Sequence, residues 1–182
     1  MKDVNISSKR NLILKITIPV VLVLIITGIW ILKNSQNNDS DNSSVDKGNA
    51  DFALNVTEKL DLEKLKSYNV PILIEFGSDS CIPCKQMAPI IEALNEELQG
   101  KAIVKFVDVW KNQSFADGYP ISVIPTQIFI DANGKPYNPA DPDTLQMKLY
   151  SDKTTNEHIF TAHEGTLTKE QLLAVLKEMG MK

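Results

Sequence analysis

Cys81 and Cys84 are the only thiols in a chain of 182 residues, and they sit with two residues between them in FGSDSCIPCKQMAPI, residues 76–90. Such a pair can be a redox couple, half of a metal site, a structural staple, or two reduced thiols without a role. As a staple it would close so short a loop that it removes little entropy from the denatured chain. As a metal site it needs two more ligands, and His158 and His163 do extend C-x2-C with H-x4-H. Yet 73 residues separate the halves, where a zinc finger has about 12. The histidines also lie five apart on an expected strand, an odd offset that sends them to opposite faces. Idle thiols fit poorly with a domain facing an oxidising compartment, which the N-terminus described below implies.

The redox reading uses the neighbours. A cysteine at the first turn of a helix meets unpaired backbone N–H groups and the positive end of the helix dipole, which favour thiolate over thiol. Cys81 is then the nucleophile. Cys84, three residues on, lies one turn deeper on the same face as the resolving thiol, and Pro83 fits a first turn that has no use for its missing N–H. Lys85 reads as an ordinary solvated helix lysine, and Asp79 as a loop or capping residue. Glu75 is out of place, because the strand ILIEF that carries it reads as buried on both faces. Burial raises the pKa of a carboxyl and makes Glu75 a candidate acceptor for the proton of Cys84. An edge-facing or salt-bridged glutamate is the other reading of the same residue.

Positioning these groups requires a strand ahead of the cysteines and a helix behind them. From Asp51 onward strand and helix signals alternate with short connections, the mark of an α/β layer fold. Asp61 can cap a helix running to about Tyr68, with Leu62 and Leu65 on one side, and Pro71 opens the apolar strand PILIEF. From Cys81 to about Leu98, apolar residues Met87, Ile90, Ile91, Leu94 and Leu98 recur at helical spacing, and Gly100 ends the run. AIVKFVDV and TQIFID are further strands, separated by a polar loop around 112–119 and closed by the turn Asn133-Gly134. Pro136, Pro139 and Pro142 exclude regular structure early in the segment 135–155. LQMKLY and EHIFTA around the polar SDKTTN then predict an antiparallel hairpin at a sheet edge. Thr168 and Gln171 form a capping box for a last helix that buries Leu172, Leu173, Val175, Leu176 and Met179.

Residues 16–32, ITIPVVLVLIITGIWIL, carry no charge over 17 positions, and starting at Leu12 with Lys15 snorkelling lengthens the tract to 21. That length spans a bilayer. Four cations precede the tract and one follows it, which keeps residues 1–15 cytoplasmic and sends the rest across. A cleaved signal is the alternative, but GIWILKNS offers no small-x-small site and no cysteine nearby takes a lipid. The stretch 33–50 is rich in Asn, Ser and Asp and reads as a flexible linker reaching about 20–25 Å. The chain's net charge is −4, and without residues 1–33, which hold five cations and one anion, it becomes −8. Such a surface repels phosphate backbones, so nucleic-acid binding is not expected.

Taken together, residues 51–182 resemble the thioredoxin family. The resemblance rests on Glu75 six residues before Cys81, CIPCK itself, Pro89 five residues after Cys84, IPT at 124–126, and Gly165 ahead of the last helix. It implies a thioredoxin fold, a central mixed sheet flanked by helices, here with a hairpin-like insertion at about 135–155 and a preceding transmembrane helix. It also implies a cis bond between Ile124 and Pro125, packed against the disulfide, with Ile124, Pro125 and Pro83 facing an extended substrate. Ser80 stands where thioredoxins usually carry tryptophan, and Ile82-Pro83 replaces Gly-Pro. With the anchor, the chain is similar to tethered extracytoplasmic thioredoxin-like proteins of bacteria. That implies disulfide-containing protein substrates and electrons from a membrane thiol transporter of the cytochrome c biogenesis type. The expectation is a thiol–disulfide oxidoreductase running as a reductase, with no dissociable cofactor. An oxidase or isomerase of the same fold and a non-catalytic binding module are the alternatives. Trp110 reads as a core aromatic in preference to a substrate platform.

Overall fold

The computed structural model describes residues 49–182. The span expected at 16–32 lies outside them, as does nearly all of the linker. Among the described residues no helix is long and apolar enough to cross a membrane.

Five strands form one mixed sheet: β1 Ile72–Gly77, β2 Ile103–Asp108, β3 Thr126–Ile130, β4 Lys148–Ser151 and β5 His158–Glu164, in the order β2-β1-β3-β5-β4. β1 runs parallel to β2 and antiparallel to β3, and every one of its residues is buried. This is why ILIEF carries no polar alternation: a strand covered on both faces has no solvent side to mark. Helices α1 (Leu62–Lys66), α2 (Ile82–Glu97) and α3 (Lys169–Glu178) complete the fold. Asp61 caps α1 by accepting from the Lys64 N–H, and Thr168 and Gln171 close the expected capping box on α3. Past α2, Gly100 takes φ +76°, a conformation that a side chain disfavours.

The sheet divides the core in two. Leu73 and Phe129 point to one side, where Met87, Ile91 and Leu94 of α2 and Leu172 and Leu176 of α3 cover them. Ile72, Ile74, Phe76 and Ile128 point to the other, under Leu65 of α1 and Phe52 of a short 3-10 turn at Ala50–Phe52. Lys105 of β2 is buried on this second side, and its ammonium donates to the carbonyls of Ala53 at 2.6 Å and Ala50 at 3.4 Å. The lysine thus ties the first described residues to the sheet.

The segment 135–155 supplies the outermost strand. β4 pairs antiparallel with β5, and β5 with β3, so the predicted hairpin extends the sheet. It starts later than LQMKLY suggests, because Gln146 at φ +51° and the bond from Met147 N–H to Pro142 O hold residues 142–147 in a turn. A bulge between Tyr150 and Ser151 also resets the side-chain alternation of β5. His158 consequently reaches Thr161 Oγ1 at 2.8 Å, so the opposite-faces expectation drawn from the odd offset does not apply. A second feature without a sequence signal is a single parallel bridge between Asn55 and Phe106, which adds a one-residue strand beyond β2.

Candidate active site

Cys81 is the N-cap of α2. Its backbone is extended, with φ −84° and ψ 124°, and its sulfur accepts the Cys84 N–H at 3.3 Å. Ile82 and Pro83 form the first helical positions, so a ring without an N–H stands where no donor is needed. One turn on, Cys84 is 4% exposed and joined to Cys81 in a disulfide, with the two Cα atoms 5.2 Å apart. Cys81 is half-buried and Lys85 is exposed. The helix therefore presents one sulfur at the rim and hides the other beneath it. A further requirement comes from β1: a Cβ at Gly77 would stand 3.0 Å from the Phe106 ring and 3.4 Å from Cys84 Sγ. Only a residue without a side chain leaves that approach free.

Glu75 lies below, on the side of the sheet covered by α2. It is 1% exposed, and no cation pairs with it among the described residues. The edge-facing and salt-bridged readings are both excluded. Oε2 accepts a hydrogen bond of 2.8 Å from Gln127 Nε2, while Oε1 has no protein partner. Burial pushes the Glu75 carboxyl up to about 8, against a smaller downward pull from the Gln127 bond. Glu75 and Cys84 line the same cavity, of about 80 Å³, together with Phe106, Ile91, Asp79 and Glu92. That volume is large enough for water, and the carboxyl groups on its wall can partner it.

The loop before β3 approaches from the far side. The Ile124–Pro125 peptide is cis, and the Ile124 carbonyl oxygen stands 3.8 Å from Cys81 Sγ. Thr126 Oγ1 donates to Val123 O at 2.7 Å, and the Gly165 N–H donates to Pro125 O at 2.8 Å, fixing this loop to both of its neighbours. The structure thus brings Cys81, Cys84, Glu75, Ile124 and Pro125 together at one end of the sheet, with Pro83 exposed beside them.

Two expectations need correction or addition. Trp110 is not a core aromatic: it is 65% exposed. β2 ends at Asp108, whose carboxylate accepts the N–H groups of Trp110 at 3.0 Å and Lys111 at 3.1 Å and turns the chain outward. Gln127 is the residue that sequence reasoning passes over. Its signal is the one that exposes Glu75, a polar side chain inside an apolar strand, and the register pairs the two directly.

The histidines do not join the cysteines. His163 Nδ1 is 2.8 Å from Leu145 O, and among the described residues no three His, Cys, Asp or Glu side chains converge as a metal site would need.

Comparison with known proteins places this geometry. Residues 53–150 match the family model described as Thioredoxin. The thioredoxin of Rickettsia bellii (strain RML369-C) is 32% identical over 84 residues, 46% of this chain and 79% of that protein. That of Rickettsia felis is 34% identical over 84 residues with the same coverage. Thioredoxin Y, chloroplastic, of Oryza sativa subsp. japonica is 39% identical over 74 residues, 41% of this chain and 44% of the relative. Among solved structures, a single-residue mutant of the thioredoxin from Halobacterium salinarum overlays with a TM-score of 0.49 at 23% identity, covering 71% of this chain and 91% of that one. With a paired Cys81 and Cys84 at the head of α2 and this match over residues 53–150, the chain belongs to the thioredoxin family and is a thiol–disulfide oxidoreductase.

Proposed function

We propose that the protein is a membrane-tethered, extracytoplasmic reductase of protein disulfides. The observation that carries the chemistry is the cavity shared by Cys84 and Glu75 beneath a more accessible Cys81. In the reduced enzyme, the Cys81 thiolate attacks one sulfur of a substrate disulfide. A mixed disulfide forms, and the other substrate sulfur leaves as a thiolate. The Cys84 thiol then gives its proton to the Glu75 carboxylate, directly or through water in the cavity, and its sulfur attacks Cys81. The second substrate sulfur leaves with its electron pair, the substrate has gained two electrons, and the enzyme is left as the Cys81–Cys84 disulfide. A membrane thiol transporter of the cytochrome c biogenesis type returns the two electrons.

The roles follow from placement. Helix N-terminal N–H groups around Cys81 stabilise its thiolate, whereas Cys84, covered by protein, needs a base. With its carboxyl near 8, Glu75 is about one-tenth ionised at pH 7, close enough to operating pH to take a proton and return it. Exposed Ile82, Pro83 and Val123, with the half-buried Ile124, form the surface on which an extended substrate segment lies, and Pro125, itself buried, backs it. Tethering rests on the apolar tract at 16–32 and the charge asymmetry around it.

The test is capture. Cys84→Ser should accumulate mixed disulfides through Cys81 when exposed to the membrane and envelope proteins of its source cell, and Cys81→Ser should not. Trapping through neither cysteine contradicts the assignment. Equilibration against glutathione mixtures sets the direction: a potential well above about −200 mV, in the range of strong oxidants, replaces the reductase reading with an oxidase.

A further inference from the structure

Gln127 occupies the middle of the sheet, opposite Glu75 on β1 and His163 on β5. Its side-chain nitrogen makes two bonds, to Glu75 Oε2 at 2.8 Å and to the Gly165 carbonyl at 3.0 Å. The second bond fixes the orientation of the amide. A carbonyl only accepts, so a rotated amide would set Gln127 Oε1 against Gly165 O and lose that contact. Oε1 of Gln127 is itself buried without a protein partner. A leucine at this place would remove that orphan but leave both oxygens of the buried Glu75 carboxyl without a donor, so the glutamine is there for what its nitrogen gives to Glu75 and Gly165.

We propose that Gln127 is a positioning residue of the thiol–disulfide reaction: held by Gly165, its amide can only donate to Glu75, and it thereby keeps part of that buried carboxyl in the form that accepts the Cys84 proton. This rests on the assignment of Glu75 as the base. Gly165 also donates its N–H to Pro125 O, so the same amide links the acid below the sulfurs to the loop above them. The other titratable groups around Glu75 are Cys84 and Glu92 of α2 and Asp79 of the preceding loop, all on the cavity wall. His163 lies beyond Gln127, and Lys105 is on the opposite face of the sheet. Burial and the Gln127 bond are the two influences that set the carboxyl of Glu75.

The experiment follows the rate of the resolving step against pH in the wild type, Gln127→Met, Glu75→Gln and the double variant. Methionine keeps the length of the side chain and cannot donate. A hydrogen bond to a charged group is worth about 1–2 pH units here, so Gln127→Met should move the acid limb up by that amount. In the Glu75→Gln background the same change should add nothing, since Gln127 acts through Glu75. If Glu75→Gln shifts the limb while Gln127→Met coincides with the wild type, or shifts it equally in both backgrounds, the proposal is overturned and the base assignment stands. If Glu75→Gln leaves the profile unchanged, the base assignment falls first and this proposal with it. Side-chain NMR of the unmutated protein gives a second readout independent of variant folding. The Gln127 amide protons should titrate together with the Glu75 carboxyl carbon, and amide protons that stay fixed while Glu75 titrates overturn the proposal.

Discussion

A carboxyl with 1% exposure and a single donor for two oxygens is held in place against its preference for water, and the cost depends on pH. Glu75 has its pKa raised from 4.5 to about 8 by burial, so between those values the folded state holds a proton that the unfolded chain has released. Stability therefore falls as pH rises through this window, by roughly 1.4 kcal/mol per pH unit. Below about pH 4.5 the penalty is absent, and above pH 8 it is complete. Glu75→Gln should flatten that slope and leave the variant more stable than the wild type at pH 8 by a few kcal/mol. Denaturant unfolding at pH 5 and pH 8 checks this; parallel losses in both proteins contradict it. Glu75 is legible in the sequence because an ionisable residue interrupts an apolar strand. Gln127 sends the same signal in TQIFI, but its partnership depends on the pairing of β1 with β3, which no local pattern encodes. Trp110 departs from expectation because residue type reports a tendency to be buried, whereas the end of β2 at Asp108 decides on which side of the surface the ring falls.

At the scale of elements, the site is the meeting of the end of β1 with the start of α2. Gly77 closes β1 against both Phe106 and the sulfur of Cys84, so a methyl group there must displace one of them. Gly77→Ala should destabilise the domain by about 1–3 kcal/mol and slow the resolving step, because the ring and the sulfur line the cavity with Glu75. Thermal unfolding and single-turnover reduction of a disulfide substrate check both effects, and wild-type values in both contradict the packing described. Helical spacing, the caps at Asp61 and Thr168 and the turn at Asn133-Gly134 make these elements readable from sequence, since each rests on contacts within a few residues. The bulge in β5, the late start of β4 and the bridge at Asn55 are not readable in that way. They arise from the register with strands distant in the chain, where a one-residue slip moves a side chain to the other face.

Over the whole molecule, the fold and the cysteines belong to one part of the sequence and the proposed tether to another. Residues 49–182 hold the sheet, both core layers and the cysteines, and Lys105 fastens their start through the Ala50 and Ala53 carbonyls. Deletion of residues 1–48 should leave cooperative unfolding and the glutathione redox equilibrium unchanged, while the full chain sediments with membranes and the shortened one does not. Co-sedimentation of the shortened chain contradicts tethering by the apolar tract. Fold class is readable because the family's spaced landmarks, from Glu75 to Gly165, lie on different elements and together fix their order. The substrate and the donor leave no such mark in the chain.

The division of labour between the two sulfurs is tested most directly by timed alkylation of the reduced protein, with mass spectrometry of each cysteine across pH 5–10. Cys81 should react first and at pH values where a free thiol, with a pKa of about 8.5, is still slow. Cys84 should stay protected until the domain unfolds. A Cys81 that reacts no faster than a free thiol below pH 8, or a Cys84 that reacts before it, contradicts an exposed nucleophile resolved by a buried partner.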